Sequence, residues 1–155
     1  GEAPPAETAA APSPASSQPA APAAPTVQQI IETRQANLKD MGKNFKAISD
    51  QTKASTPDMA VIGPAADVVK AHSADIGTWF PAGSGAEAGV KTAALPEIWS
   101  DPAKFEAAVV KLQQEAGALQ TAAASGDAAQ VKAQFPKTGG ACKNCHDTFR
   151  KPEEK

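Results

Sequence analysis

The stretch GGACKNCHDTFRKPEEK holds both cysteines and one of the two histidines of a 155-residue chain. Cys142, Cys145 and His146 match the Cys-x-x-Cys-His pattern by which haem is attached covalently to protein. On one helical turn the two thiols can reach the two vinyl groups along one edge of a porphyrin, and the next side chain can swing its imidazole under the iron. Other chemistries fit less well. A thioredoxin-type Cys-x-x-Cys opens a helix within a strand-rich fold. Structural zinc asks for four ligands, and only His72 remains to supplement these three. A plain disulfide leaves His146 unexplained. The expectation is one covalent haem c, anchored by Cys142 and Cys145, with His146 as the protein's iron ligand. Attachment of this kind takes place on the far side of the bacterial inner membrane, so the chain is expected to be exported, periplasmic and stripped of its signal peptide.

Four helical patterns must position these groups. The first runs from Thr26 and places Val27, Ile31, Leu38, Met41, Phe45 and Ile48 on steps of three and four. The second, from Pro57 to Phe80, turns Val61, Ile62, Ala65, Val68, Val69, Ile76 and Trp79 to one side, with Gly63-Pro64 as an expected kink. The third has Ser100 or Asp101 as N-cap and Pro102 in its first turn, and stops at Ser125-Gly126. Asp127 caps the fourth, which carries Val131, Phe135, Thr138, Cys142, Cys145 and Phe149 at heptad spacing, with Pro136 inside it. There is no Tyr, no alternating strand pattern and no hairpin signal. Helices of about 22 residues span roughly 33 Å, so the predicted fold is all-α, an antiparallel four-helix bundle. The long link before the third helix is Gly-rich and then apolar around Leu95, Ile98 and Trp99, which predicts a surface loop whose end plugs the bundle. The inward stripes are rich in Ala and Gly, with only five Phe and two Trp in the chain. Small facing residues leave room for a flat apolar group between helices.

Composition narrows the rest. A formal charge of −2 gives no bias toward nucleic acid, and no apolar run is long enough to span a bilayer. Residues 1–25 hold seven of the fourteen prolines among Ala, Ser and Gln, which predicts a disordered, semi-rigid Pro/Ala-rich tether. The bundle is assigned to residues 26–155. The tether reads equally as a spacer that holds the bundle off a surface and as a terminus with no task.

Three segments together carry a family resemblance: RQANLKDMGKNF in the first helix, LPEIWSDPAKFEAA at the start of the third, and CKNCHDTFRK near the end. In this order they are similar to cytochrome c′, the four-helix-bundle haem proteins whose attachment motif lies near the C-terminus. The similarity covers about residues 26–153 and leaves the tether outside. It implies that Leu38 stands over the haem on the side opposite His146, that Arg34 faces the haem propionates, and that Arg150 flanks the proximal histidine. Family members often pair as homodimers through their first two helices, which the patterns of this chain do not by themselves derive.

What faces the iron opposite His146 decides the function. Leu38 has no lone pair to give, so the resting iron is expected to be five-coordinate and high-spin, binding NO and CO and holding O2 poorly. The first reading is a periplasmic gas-binding protein that scavenges or carries NO without covalent chemistry, hence not an enzyme. The second is a one-electron carrier to a periplasmic redox partner. Met41, one turn beyond Leu38, would supply that carrier's sixth ligand if it were not core filler, and His72 reads as a structural histidine rather than a ligand. Arg34 sits at a heptad position where an apolar residue is expected, and a buried charge calls for an anion unless its stem reaches solvent. Trp79, Phe80 and Phe105 are candidates for the pocket wall, and Trp99 for a staple ahead of the third helix.

Overall fold

The computed structural model describes residues 1–2 and 23–152, so most of the predicted tether lies outside the described residues. Four long helices account for the bundle: α1 (Val27–Lys53), α2 (Met59–Asp75), α4 (Pro102–Ala124) and α5 (Ala128–Phe149), with a single turn, α3 (Glu97–Ser100), between the second and third of them. Consecutive long helices pack side by side in antiparallel order, α1 on α2, α2 on α4 and α4 on α5.

Local chemistry sets the helix starts. Thr26 closes a capping box with Gln29: its hydroxyl accepts from the Gln29 amide at 3.1 Å, and its own amide donates to Gln29 Oε1 at 2.9 Å. Asp58, Asp101 and Asp127 cap α2, α4 and α5 through side-chain oxygens. Pro102 takes the first turn of α4, and Gly126, at φ +75°, supplies the left-handed residue that ends it. Helix α2 runs through Pro64 and α5 through Pro136.

The ends diverge from expectation where tertiary contacts intervene. Helix α2 stops at Asp75 rather than Phe80, and a 3-10 turn over Ile76–Thr78 follows, which drops Trp79 and Phe80 into the start of the long connection. Val27 and Val61, assigned to inward stripes, are 41% and 39% exposed. Val27 is the first residue of its helix, and Ile62 occupies the core position beside Val61, a rotation of about 100° away.

Two packed regions fill the bundle. At one end Ile48, Ile62, Leu119 and Val131 are fully buried among Ala66, Ala122 and Ala123, and Phe45 stacks on Phe135 with ring centroids 4.3 Å apart. Toward the other end Met41, Val69, Ile76, Val109 and Leu112 form a second cluster, and Ile98, Ala108 and Phe149 a third. The apolar end of the long connection does plug the bundle, through Ile98. Direct contact between α1 and α5 is sparse.

Candidate functional site

Where α1 and α5 stand apart, a cavity of about 560 Å³ opens between them. Leu38, Met41 and Phe45 line it from α1, and Cys142, Cys145, His146 and Phe149 from α5. Val69, Phe105 and Leu112 close its floor. The motif residues therefore meet on one wall and Leu38 stands among those of another. The cysteines are half-buried free thiols. Burial pushes the Cys145 thiol up to about 11, with Cys142 beside it adding to the effect, and burial likewise raises Cys142. Both thus stay protonated and neutral at pH 7. His146 is exposed at the mouth of the cavity.

The aromatic wall is Phe80, Phe105 and Phe149, joined edge to face at centroid distances of 5.2 Å for each successive pair. Trp79 is not part of the lining. It stacks edge-on against His72, whose Nε2 lies 2.9 Å from Asp40 Oδ2, so this histidine ties α2 to α1 outside the cavity. Met41 is 8% exposed and packs into the second core cluster while also bordering the cavity. Trp99 does more than staple α4: its indole donates to the Phe80 and Pro81 carbonyls, and its ring lies so close to Gly85 that a Cβ there would come within 2.8 Å. A Cβ there would also meet the Glu87 carboxylate, so a side chain at residue 85 would have to displace one or both neighbours.

Arg34 is 2% exposed, borders the cavity, and donates to neutral oxygens of the connection. One terminal nitrogen donates to Ser84 Oγ at 2.8 Å and, at 3.5 Å, to the Trp79 carbonyl; the other donates to the Ser84 carbonyl at 2.6 Å and to Thr92 Oγ1 at 3.0 Å. The guanidinium lies 4.8 Å from the centroid of the Phe80 ring. Burial lowers its pKa, and the Glu87 carboxylate pulls it back up. Neither Ser84 nor Thr92 stands out in the sequence, because their role depends on a fold that brings them back to residue 34.

Residues 91–95 form a strap across the cavity mouth. On the α1 side Arg34 holds Thr92, and Gln35 Nε2 donates to the Lys91 carbonyl at 3.0 Å. On the α5 side the Lys151 amide donates to the Ala93 carbonyl and the Leu95 amide to the Phe149 carbonyl, around a bridge between Ala94 and Arg150. Arg150 lines the cavity with His146, yet not by continuing the helical face: its backbone is extended, at φ −120° and ψ 134°, and its amide closes α5 on the His146 carbonyl at 3.2 Å.

This donor set suits haem. The cavity falls within the usual range for cofactor pockets, is mostly apolar, and presents two neutral thiols and an imidazole from one helix. A porphyrin brings four nitrogens of its own, so one histidine suffices as protein ligand to the iron. Among the described residues no group of three or more His, Cys, Asp and Glu side chains is arranged to hold a bare metal ion, which leaves the zinc reading without a ligand set.

A family model described as Cytochrome C′ matches residues 29–150. The chain belongs to the cytochrome c′ family. Cytochrome c′ of Pararhodospirillum photometricum is 36% identical over 123 residues, which cover 79% of this chain and 97% of that one. The crystal structure of cytochrome c′ from Thermochromatium tepidum superposes with a TM-score of 0.78 at 32% identity, covering 84% of this chain and all of that one. A nitric oxide complex of a leucine-to-alanine mutant of cytochrome c prime from Alcaligenes xylosoxidans matches with a TM-score of 0.75 at 30% identity, covering 84% of this chain and 100% of that one. As a cytochrome c′ the chain carries covalently bound haem c in the bundle. No helix among the described residues is long and apolar enough to cross a membrane.

Proposed function

We propose that this cytochrome c′ is a periplasmic gas-binding protein that takes up NO and CO beside Leu38 and serves to scavenge or carry nitric oxide. In this reading Cys142 and Cys145 hold the haem through thioethers, His146 gives its lone pair to the iron, and Arg150 flanks that histidine at the cavity mouth. Arg34 closes the pocket from α1. Bound haem supplies an iron with one position left for a diatomic gas.

The observation that carries the reading is the chemistry of the wall around Leu38. Leu38, Met41, Phe45 and Val69 offer no N–H or O–H donor. Of the polar α1 side chains on the lining, Arg34 and Gln35 already donate to the connection, and Lys39 is exposed. Such a wall keeps water out and leaves the negative charge of bound dioxygen without a hydrogen bond, whereas NO and CO need far less stabilisation. Gas binding in the family supports it too, through the nitric oxide complex of the Alcaligenes xylosoxidans protein.

One observation favours a second reading, one-electron carriage: Met41 also borders the cavity, and a thioether ligand would make a six-coordinate, low-reorganisation centre. Absorption spectra of the oxidised and dithionite-reduced protein, with and without CO and NO, separate the two. A broad, unsplit reduced band that sharpens with CO is the expected result. Sharp, split bands in both states that ignore CO would replace gas binding by electron carriage.

A further inference from the structure

Charge is unevenly shared among the four long helices. Residues 27–53 and 128–151, which carry α1 and α5, hold ten Lys and Arg against four Asp and Glu, whereas residues 54–127 hold four against nine. Nine of those ten cations are exposed, Arg34 being the exception. A chain of net charge −2 is thus a dipole with its positive side on α1 and α5. The cavity opens on that side. Of the residues that line it, Gln35, Lys39 and Gly42 of α1 and His146 and Arg150 at the end of α5 are the exposed ones, so its mouth lies between these two helices.

Periodicity extends the basic rim along both helices. Lys46 and Lys53 follow Lys39 at intervals of seven, two helical turns each, and Lys143 stands seven before Arg150, so each set shares a side of its helix. Asp50 and Asp147 each hold one of these lysines, Lys46 at 3.0 Å and Lys143 at 2.7 Å, in pairs exposed on both partners. Exposed pairs are weak and exchange readily for another carboxylate. The carboxylates of α2 and α4 stand a helix-packing distance behind this face, roughly 8–10 Å. That is about a Debye length at 0.1 M salt, so a partner at the mouth feels the near lysines first. An anionic bilayer would answer the same charge, but a surface that settles on lipid also offers apolar side chains to the interface. Among the described residues the exposed large apolar ones are Val27, Val61 and Val110, and none borders the cavity mouth.

Resting on the haem reading above, we propose that the α1–α5 face is the docking surface for an acidic one-electron carrier protein, with Lys39, Lys46 and Lys143 as its charged rim and the cavity mouth at its centre. The ferrous state that CO requires needs such a donor: the partner gives up one electron, which takes the iron from ferric to ferrous. Calorimetric titration of the ferric holoprotein with an oxidised flavodoxin, an acidic carrier that holds no electron to give in that state, tests the face by binding alone. Lys39→Gln, Lys46→Gln and Lys143→Gln combined should weaken binding at low salt about tenfold or more and flatten its salt dependence. Lys70→Gln, Lys104→Gln and Lys111→Gln combined remove the same charge from α2 and α4, and should weaken it less than about twofold.

Equal losses in the two variants would assign the effect to net charge and overturn the α1–α5 face. Wild-type protein that ignores flavodoxin but binds phosphatidylglycerol vesicles through the rim lysines would replace the protein partner by a membrane surface. Wild-type protein that holds no covalent pigment after denaturation would overturn the haem reading, and with it the electron-carrier partner, even where calorimetry bears out the face.

Discussion

The two ends of the bundle are built from the same four helices and similar small residues, yet one is closed and the other open. At the closed end Ile48 and Leu119 are fully buried, and the Phe45–Phe135 stack brings α1 against α5. At the open end the facing positions are Leu38 on α1 and two half-buried cysteines on α5, and no described residue occupies the space between. Packing at native density is therefore an intrinsic property of the first end and a property of the loaded protein at the second.

Replacing both Cys142 and Cys145 by Ala should break the contrast most severely. Covalent pigment is expected to disappear, and with it the cooperative unfolding of the open end, measured by denaturing-gel haem stain and thermal melts. Leu119→Ala at the closed end should cost about 3 kcal/mol of stability in denaturant titrations, as buried leucines do, while leaving the CO-bound spectrum unchanged. Leu38→Ala should show the reverse. Being half-buried, it should cost roughly 1 kcal/mol, but CO and NO association, followed by flash photolysis, should quicken at least about tenfold.

The smallest effect concerns a knot between α4 and α5. Thr138, fully buried, donates to the Glu115 carbonyl at 3.0 Å, and Gln134 and Lys111 both donate to the Glu115 carboxylate. The Lys111 and Gln134 hydrogen bonds hold that carboxyl below the usual carboxylate range. Its contribution is thus present above the unfolded-state pKa and lost as pH falls through the lower folded value. The difference in melting temperature between wild type and Glu115→Gln should be small at neutral pH and vanish on acidification.

The attachment motif and the helix starts were legible because they are local. Thr26, Asp127 and Asp101, one of two candidates for its cap, satisfy amides two or three residues away, whereas Asp58 was not read as the cap of α2; Cys142, Cys145 and His146 need only one turn of helix to converge. The end of α2, the α3 turn and the strap were not legible, because distant partners decide them. Trp99 reaches back to the Phe80 and Pro81 carbonyls, and Arg34 reaches across 50 residues to Ser84. Arg34 is buried at the heptad position where an apolar residue is expected. Its partners could not be named, since neutral oxygens in a Gly-rich loop carry no sequence signature of their own.

The way α1 is fixed on both sides of Leu38 has a kinetic consequence. One turn earlier Arg34 is clamped to the connection, one turn later Met41 is buried, and beyond it Phe45 is stacked on Phe135. In the gas-binding reading proposed above, α1 is held on both sides of Leu38, which makes rotation of that one side chain the expected barrier to arrival. Such a doorway would set a speed by the bulk of one residue rather than by breathing of the whole bundle, and would make arrival slow compared with encounter in solution.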